Sequence, residues 1–235
     1  MKRKYANIID RKSGITYFVL NLINTISVGD HFARLEIQGL DRLPDGPYIL
    51  IANHSSRWDG PIVQQVIQRP ANYMVSPTEL KGLQGLLLRA IGAFPADPRA
   101  DLLPFMRKQV SRKEPIVIFP EGDVYRDGST HQFKKGAARI ALLCASENLD
   151  VPVVPMAISY SRTRPEIVRV LIGDSIDVAD RIGAYRQKPI QTMHTLSLQL
   201  HREVCHLRAE LGSIKDRETV FEGKPVRSWA HHALM

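Results

Sequence analysis

The sequence predicts an α/β fold: a single domain whose mostly parallel or mixed sheet is flanked by helices and preceded by an N-terminal helix. Three observations predict it. Short apolar runs at Tyr48–Ala52, Ile116–Phe119 and Val153–Ile158 read as strands buried on both faces. The stretches between them carry apolar residues at helical spacing. The 235 residues, 44% hydrophobic and 24% charged, suffice for one domain with a substantial core and argue against disorder.

Taken in order, residues 1–30 form a basic segment whose most apolar run, Ile15–Val28, is helical. That run falls short of the ~18 uninterrupted apolar residues a membrane span needs, and no small-residue cleavage site follows it, which argues against a secretory signal. Two readings of it stay open. It is either an amphipathic helix lying in a lipid interface, with Lys2, Arg3, Lys4, Arg11 and Lys12 against anionic headgroups, or a helix packed on the core.

Residues 31–214 form the main domain. Ala33–Gly39 alternates as a half-buried strand does, and Leu43-Pro44-Asp45-Gly46-Pro47 is a turn by composition. After the strand Tyr48–Ala52, a helix over Pro61–Gln68 takes Pro61 in its first turn. A short strand at Tyr73–Val75 and an apolar, buried helix at Leu80–Ile91 come next. Leu102–Lys113 and Gly136–Asn148 are helices before the strands Ile116–Phe119 and Val153–Ile158. Ile167–Ile172 is a further strand, and Ile190–Leu211 is a long amphipathic helix. The tail from 215 to 235 is polar and unpatterned.

A formal charge of +8 favours anionic partners: phosphate-bearing substrates, acidic carriers or an anionic membrane surface. Nucleic acid is not expected, since aromatics make up only 7% and no nucleic-acid motif is present. Cys144 and Cys205 lack metal-ligand spacing and read as two buried free thiols in a reducing compartment; no metal site is expected.

The chemistry is concentrated after the Tyr48–Ala52 strand, where His54 and Asp59 stand in Asn53-His54-Ser55-Ser56-Arg57-Trp58-Asp59-Gly60. A carboxylate within reach of one imidazole nitrogen fixes the tautomer and stabilises the imidazolium, leaving the other nitrogen to take a proton. A helix cap or a surface pair would use the same residues. A second apolar strand ends similarly, at Phe119-Pro120-Glu121-Gly122. Because active sites in such sheets gather where strands end, both turns are expected to share one cleft.

Together these runs resemble the glycerophospholipid acyltransferase family, marked by a His, four residues and an Asp, followed downstream by Phe-Pro-Glu-Gly. Phe133-Lys134-Lys135-Gly136-Ala137 and Val151-Pro152-Val153-Val154-Pro155 resemble further blocks of the family, in the family's order. The resemblance spans about residues 35–175 and implies an α/β fold. It also implies transfer of a fatty acyl group from acyl-CoA or acyl-carrier protein to a lysophosphatidic acid-like acceptor. His54 would be the general base and Asp59 its orienting partner, with no covalent intermediate and no cofactor. A thioesterase or lipid hydrolase, or an acceptor other than a glycerophosphate lysolipid, remains the alternative.

Glu121 and Gly122 match the block that binds the acceptor, with Glu121 contacting its hydroxyl or capping a helix. The family's phosphate-gripping Arg does not follow directly here, where Asp123-Val124-Tyr125 precede Arg126. In the intermediate block, Gly92 to Arg99, the Arg comes one residue late. Arg99, Arg126 and Lys135 are the phosphate candidates, in that order. Backbone amides of the Asn53–Asp59 turn are the oxyanion candidates. Trp58 either lines the pocket or anchors the turn. The protein is expected in the cytoplasm, peripherally associated with the membrane.

Overall fold

The apolar runs become the inner strands of a sheet covered on both faces. The computed structural model describes residues 6–161 and 166–214. Lys2, Arg3, Lys4 and the 215–235 tail lie outside the described residues. In chain order the elements are strand β1 (Ala6–Asn7), helix α1 (Gly14–His31), β2 (Arg34–Gln38), β3 (Ile49–Ala52), α2 (Asp59–Ile67), β4 (Asn72–Val75), α3 (Gly82–Ala90) and β5 (Ala93–Pro95). Then come β6 (Ala100–Asp101), α4 (Leu103–Ser111), β7 (Ile116–Ile118), α5 (Gly136–Ser146), β8 (Val153–Tyr160), β9 (Ile167–Ile172), α6 (Ile182–Gln187) and α7 (Pro189–Ile214).

Seven strands form one mixed sheet in the order β2-β9-β8-β3-β7-β4-β5. Strands β8, β3, β7, β4 and β5 pair in parallel, as do β2 and β9, while β8 and β9 pair antiparallel. The C-terminal ends of the first five therefore share one rim. The short β1 and β6 pair in parallel outside this sheet.

Strand β3 shows why its sequence is uniformly apolar. Ile49 and Ile51 pack toward Met106 of α4, Ile140 of α5 and Leu196 and Leu200 of α7. Leu50 and Ala52 face the opposite way, against Val28 of α1 and Ile62, Val63 and Val66 of α2. All four β3 residues have no solvent exposure. Burying each large one is worth about 1.5–3 kcal/mol, which fixes the register of the strand that carries His54. Toward one edge, Glu36 and Arg169 sit directly opposite each other on β2 and β9 and form a 2.8 Å ion pair.

Several expectations need correcting. Helix α2 begins at Asp59, two residues before Pro61, because Asp59 favours a helix N-terminus. Strands β1, β5 and β6 and helix α6 are too short to leave a periodic signal. Cys144 is buried as expected, but Cys205 is partly exposed. Lys12 does not reach outward. Its side chain is buried, its ammonium ion-pairs with Glu114, and it bonds Asn72 Oδ1 at 2.6 Å and Gln109 Oε1 at 3.0 Å. Asp10 pairs with Lys108 and Arg112 in the same region, so these cations serve the fold.

Two helices present apolar side chains to solvent. In α1, Thr25 and Val28 are buried, whereas Ile15, Phe18, Val19, Ile23 and Ile26 are exposed, Ile15 by 81%. Helix α3, read as a buried helix, instead exposes Leu83, Leu86 and Leu87. No helix among the described residues is long and apolar enough to cross a membrane.

Candidate active site

Three adjacent strands, β8, β3 and β7, deliver the residues around His54 from one rim. As β3 ends, Asn53 is fully buried and locks it to β8: its side-chain amide donates to the Ile158 carbonyl at 3.0 Å and accepts from the Ile158 amide at 2.8 Å. His54 follows immediately, so its backbone is held by the sheet.

Asp59 completes the pair from the first residue of α2. Its carboxylate is inaccessible to solvent, and Oδ2 lies 2.8 Å from His54 Nδ1. The same oxygen accepts the amides of Ser55 at 2.7 Å and Ser56 at 2.8 Å. A carboxylate at Nδ1 puts the proton of the neutral ring there and leaves Nε2 as the basic nitrogen. The His54 side chain is 21% exposed, so the pair opens to solvent on the imidazole side only. The other carboxylate oxygen, Oδ1, accepts a 2.6 Å hydrogen bond from the Tyr160 hydroxyl at the end of β8. Burial, with Asp59 alongside, pushes the Tyr160 phenol far above its ordinary range and keeps it a donor.

The turn after β7 closes over this pair. Phe119 stacks on the His54 ring, with centroids 4.4 Å apart and planes 19° from parallel. Glu121 is 2% exposed, and both its oxygens are committed: Oε1 accepts the His54 amide at 2.8 Å and Oε2 the His131 amide at 3.0 Å. Glu121 therefore joins two loops and does not cap a helix. The Tyr125 amide adds a 2.9 Å bond to the His54 carbonyl, and the Tyr125 ring stacks on His131. Gly122 has φ +72°, the left-handed conformation that lets the chain turn here without strain.

The same geometry narrows the oxyanion candidates. The amides of His54, Ser55, Ser56, Trp58 and Asp59 already donate to Glu121, Asp59 or Ser56, which leaves the remaining amides of the turn as the candidates. Trp58 anchors the turn, stacking on His31 at 4.5 Å and meeting Phe32 edge-on at 5.5 Å.

The basic candidates stand farther out. Arg99 follows β5 on the shared rim, with an 86% exposed side chain held by Asp97 through hydrogen bonds of 3.1 and 3.2 Å. Those bonds hold the Asp97 carboxyl below the usual carboxylate range. Arg126 lies exposed in the loop after Gly122, and Lys135 is exposed at the N-terminus of α5. Lys134, not singled out from sequence, reaches back to the Gly122 carbonyl at 3.3 Å. Asn53 and Tyr160 carry no sequence signal of their own: Asn53 is one polar residue of the turn, and Tyr160 stands at the far end of a distant strand.

Comparison with known proteins fits this arrangement. Residues 34–159 match the family model described as Acyltransferase. The chain belongs to this family. Among relatives, it is 31% identical over 152 residues to the chloroplastic 1-acyl-sn-glycerol-3-phosphate acyltransferase BAT2 of Brassica napus, covering 60% of this chain and 42% of that protein. It is 25% identical over 134 residues to the 1-acyl-sn-glycerol-3-phosphate acyltransferase of Pseudomonas aeruginosa, covering 53% and 49%. The chain thus spans less than half the length of either relative. The crystal structure of the 1-acyl-sn-glycerophosphate acyltransferase PlsC from Thermotoga maritima shares the fold, with a TM-score of 0.61 at 18% identity over 86% of this chain and 81% of that one. The expected α/β architecture with its N-terminal helix is therefore borne out, and the matched residues include His54, Asp59 and Glu121.

Proposed function

We propose that the chain transfers a fatty acyl group from acyl-CoA or acyl-carrier protein to the free hydroxyl of a lysophosphatidic acid-like glycerophospholipid. The observation that carries this is the buried Asp59 carboxylate bonded to Nδ1 of a His54 ring that is itself partly exposed to solvent. An alcohol is a poor nucleophile at neutral pH and needs a base at the moment of attack. His54 Nε2 takes the hydroxyl proton as the alkoxide oxygen attacks the thioester carbonyl. The tetrahedral intermediate collapses, the carbon–sulfur bond breaks, and the thiolate leaves with the proton returned from the imidazolium. Asp59 holds the tautomer and offsets the transient ring charge. The thioester is already activated, so no acyl-enzyme is required.

In this reading Arg99, Arg126 and Lys135 attract the acceptor's phosphate, Arg99 exchanging Asp97 for the ligand. Gly122 shapes the turn near the acceptor. Arg99→Ala and Arg126→Ala are each expected to raise the acceptor's KM about tenfold while the donor's KM changes little, the size of one lost hydrogen bond to a charged group. Initial-rate kinetics with each substrate varied check this, and equal effects on both would remove these residues from the phosphate site.

The exposed apolar faces of α1 and α3 are proposed to rest on an anionic, cytoplasmic membrane surface, where the acceptor resides. Phe18→Glu and Leu83→Glu should each weaken sedimentation with phosphatidylglycerol vesicles about tenfold or more. Unchanged binding would leave these faces without a membrane role.

The function itself is tested by offering radiolabelled palmitoyl-CoA with a panel of lysolipids. Labelled phosphatidic acid is the expected product. Label only in another lipid would keep the chemistry and revise the acceptor, and label only in free fatty acid would favour the hydrolase alternative.

A further inference from the structure

We propose that Tyr160 is a positioning residue of the His54–Asp59 pair, setting the basicity of His54 through its hydrogen bond to Asp59 Oδ1. The inference rests on the reading of His54 as the base. Its support is geometric. Asp59 has no exposure, and its two oxygens are divided: Oδ2 serves His54 Nδ1 at 2.8 Å with the Ser55 and Ser56 amides, and Oδ1 serves the Tyr160 hydroxyl at 2.6 Å. The two Asp59 partners that could change its charge distribution are therefore an imidazole on one side and a phenol on the other. Tyr160 is itself constrained, as the end of β8 places it one strand from β3 and its ring packs against Phe32 at 5.8 Å.

The consequence has a definite sign. A phenol donating to a carboxylate disperses its negative charge and makes it a weaker acceptor for the imidazolium. Removing the hydroxyl concentrates charge on Asp59, favours protonated His54, and moves its titration to higher pH. The other ionisable groups around the pair are Glu121, whose carboxylate accepts the His54 amide, His131 on that same carboxylate, and Tyr125, whose amide bonds the His54 carbonyl. On the Tyr160 side, Glu166 lies near the phenol and pairs with His31 at 3.7 Å. None of these bonds either carboxylate oxygen of Asp59. The Ser56 side chain also meets the Tyr160 hydroxyl, so Tyr160→Phe removes both contacts, whereas a fluorinated phenol keeps both and changes only donor strength.

The test is an NMR titration of the His54 imidazole, assigned against His54→Ala, in wild type, in Tyr160→Phe and in a protein carrying 3-fluorotyrosine at this position. The fluorinated phenol is the stronger donor and preserves the packing. The titration is expected to move to higher pH in Tyr160→Phe and to lower pH with fluorotyrosine. For acyl transfer, kcat in Tyr160→Phe is expected to fall about tenfold with the acceptor's KM little changed. Identical titrations in all three proteins, or two shifts of the same sign, would overturn the proposal, since a merely structural tyrosine has no reason to move the imidazole in opposite directions. Because the titration needs no turnover, opposite shifts in a protein that transfers no acyl group would uphold this coupling and fail the functional reading alone.

Discussion

His54→Ala is expected to lower kcat for acyl transfer by about 10²–10⁴-fold, the usual contribution of a general base. The melting temperature should change by only a few degrees. The ring is partly exposed, stacked on Phe119 and bonded through Nδ1 to a carboxylate that keeps its other partners, Ser55, Ser56 and Tyr160. The backbone at position 54 is held independently, through Glu121 and the Tyr125 amide. Loss of the imidazole therefore removes the proton acceptor without loosening the loop. Steady-state kinetics beside thermal melts separate the two effects. Turnover within threefold of wild type would mean that another group accepts the proton.

The second large effect is expected at Glu121. Glu121→Ala leaves the His54 and His131 amides without their acceptor in a site that is 2% exposed. Each orphaned buried donor costs about 1–3 kcal/mol, so unfolding free energy should fall by roughly 2–6 kcal/mol. The loops carrying His54 and His131 would separate, and kcat should drop at least tenfold, because small misplacements of a base are costly. The acceptor's KM should move far less than kcat, since the carboxylate faces the protein. Urea denaturation and paired KM and kcat measurements check both parts. A variant with wild-type stability and a raised acceptor KM would return Glu121 to substrate binding.

The legible and the illegible parts of this site differ in sequence distance. His54 and Asp59 could be read because both lie within a few residues of one strand end, where an uninterrupted apolar run stops at a polar turn. Tyr160 could not, because it is 101 residues from Asp59 and meets it only because β8 pairs beside β3. Asn53 was visible as a residue but not as a bond, for the same reason. Glu121 stood in a recognisable block, yet the direction of its side chain depends on which loop amides lack acceptors, and no local pattern encodes that. The apolar face of α3 shows the limit of periodicity. Leucine spacing predicts a helix at Leu83–Leu87 but cannot tell whether its apolar side meets protein or solvent. The inner strands were plain because burial on both faces demands apolar residues at every position, whereas β5, three residues including Pro95, carries too little pattern to register.

The central claim is that His54 drives direct transfer between thioester and lysolipid hydroxyl. A single-turnover experiment with enzyme in excess over radiolabelled palmitoyl-CoA, quenched in acid after lysophosphatidic acid is added, tests it most directly. The label should pass from palmitoyl-CoA to phosphatidic acid, with none on the protein and no transfer by His54→Ala. Label accumulating on the protein, or released as free fatty acid at the same rate with and without lysophosphatidic acid, would contradict it.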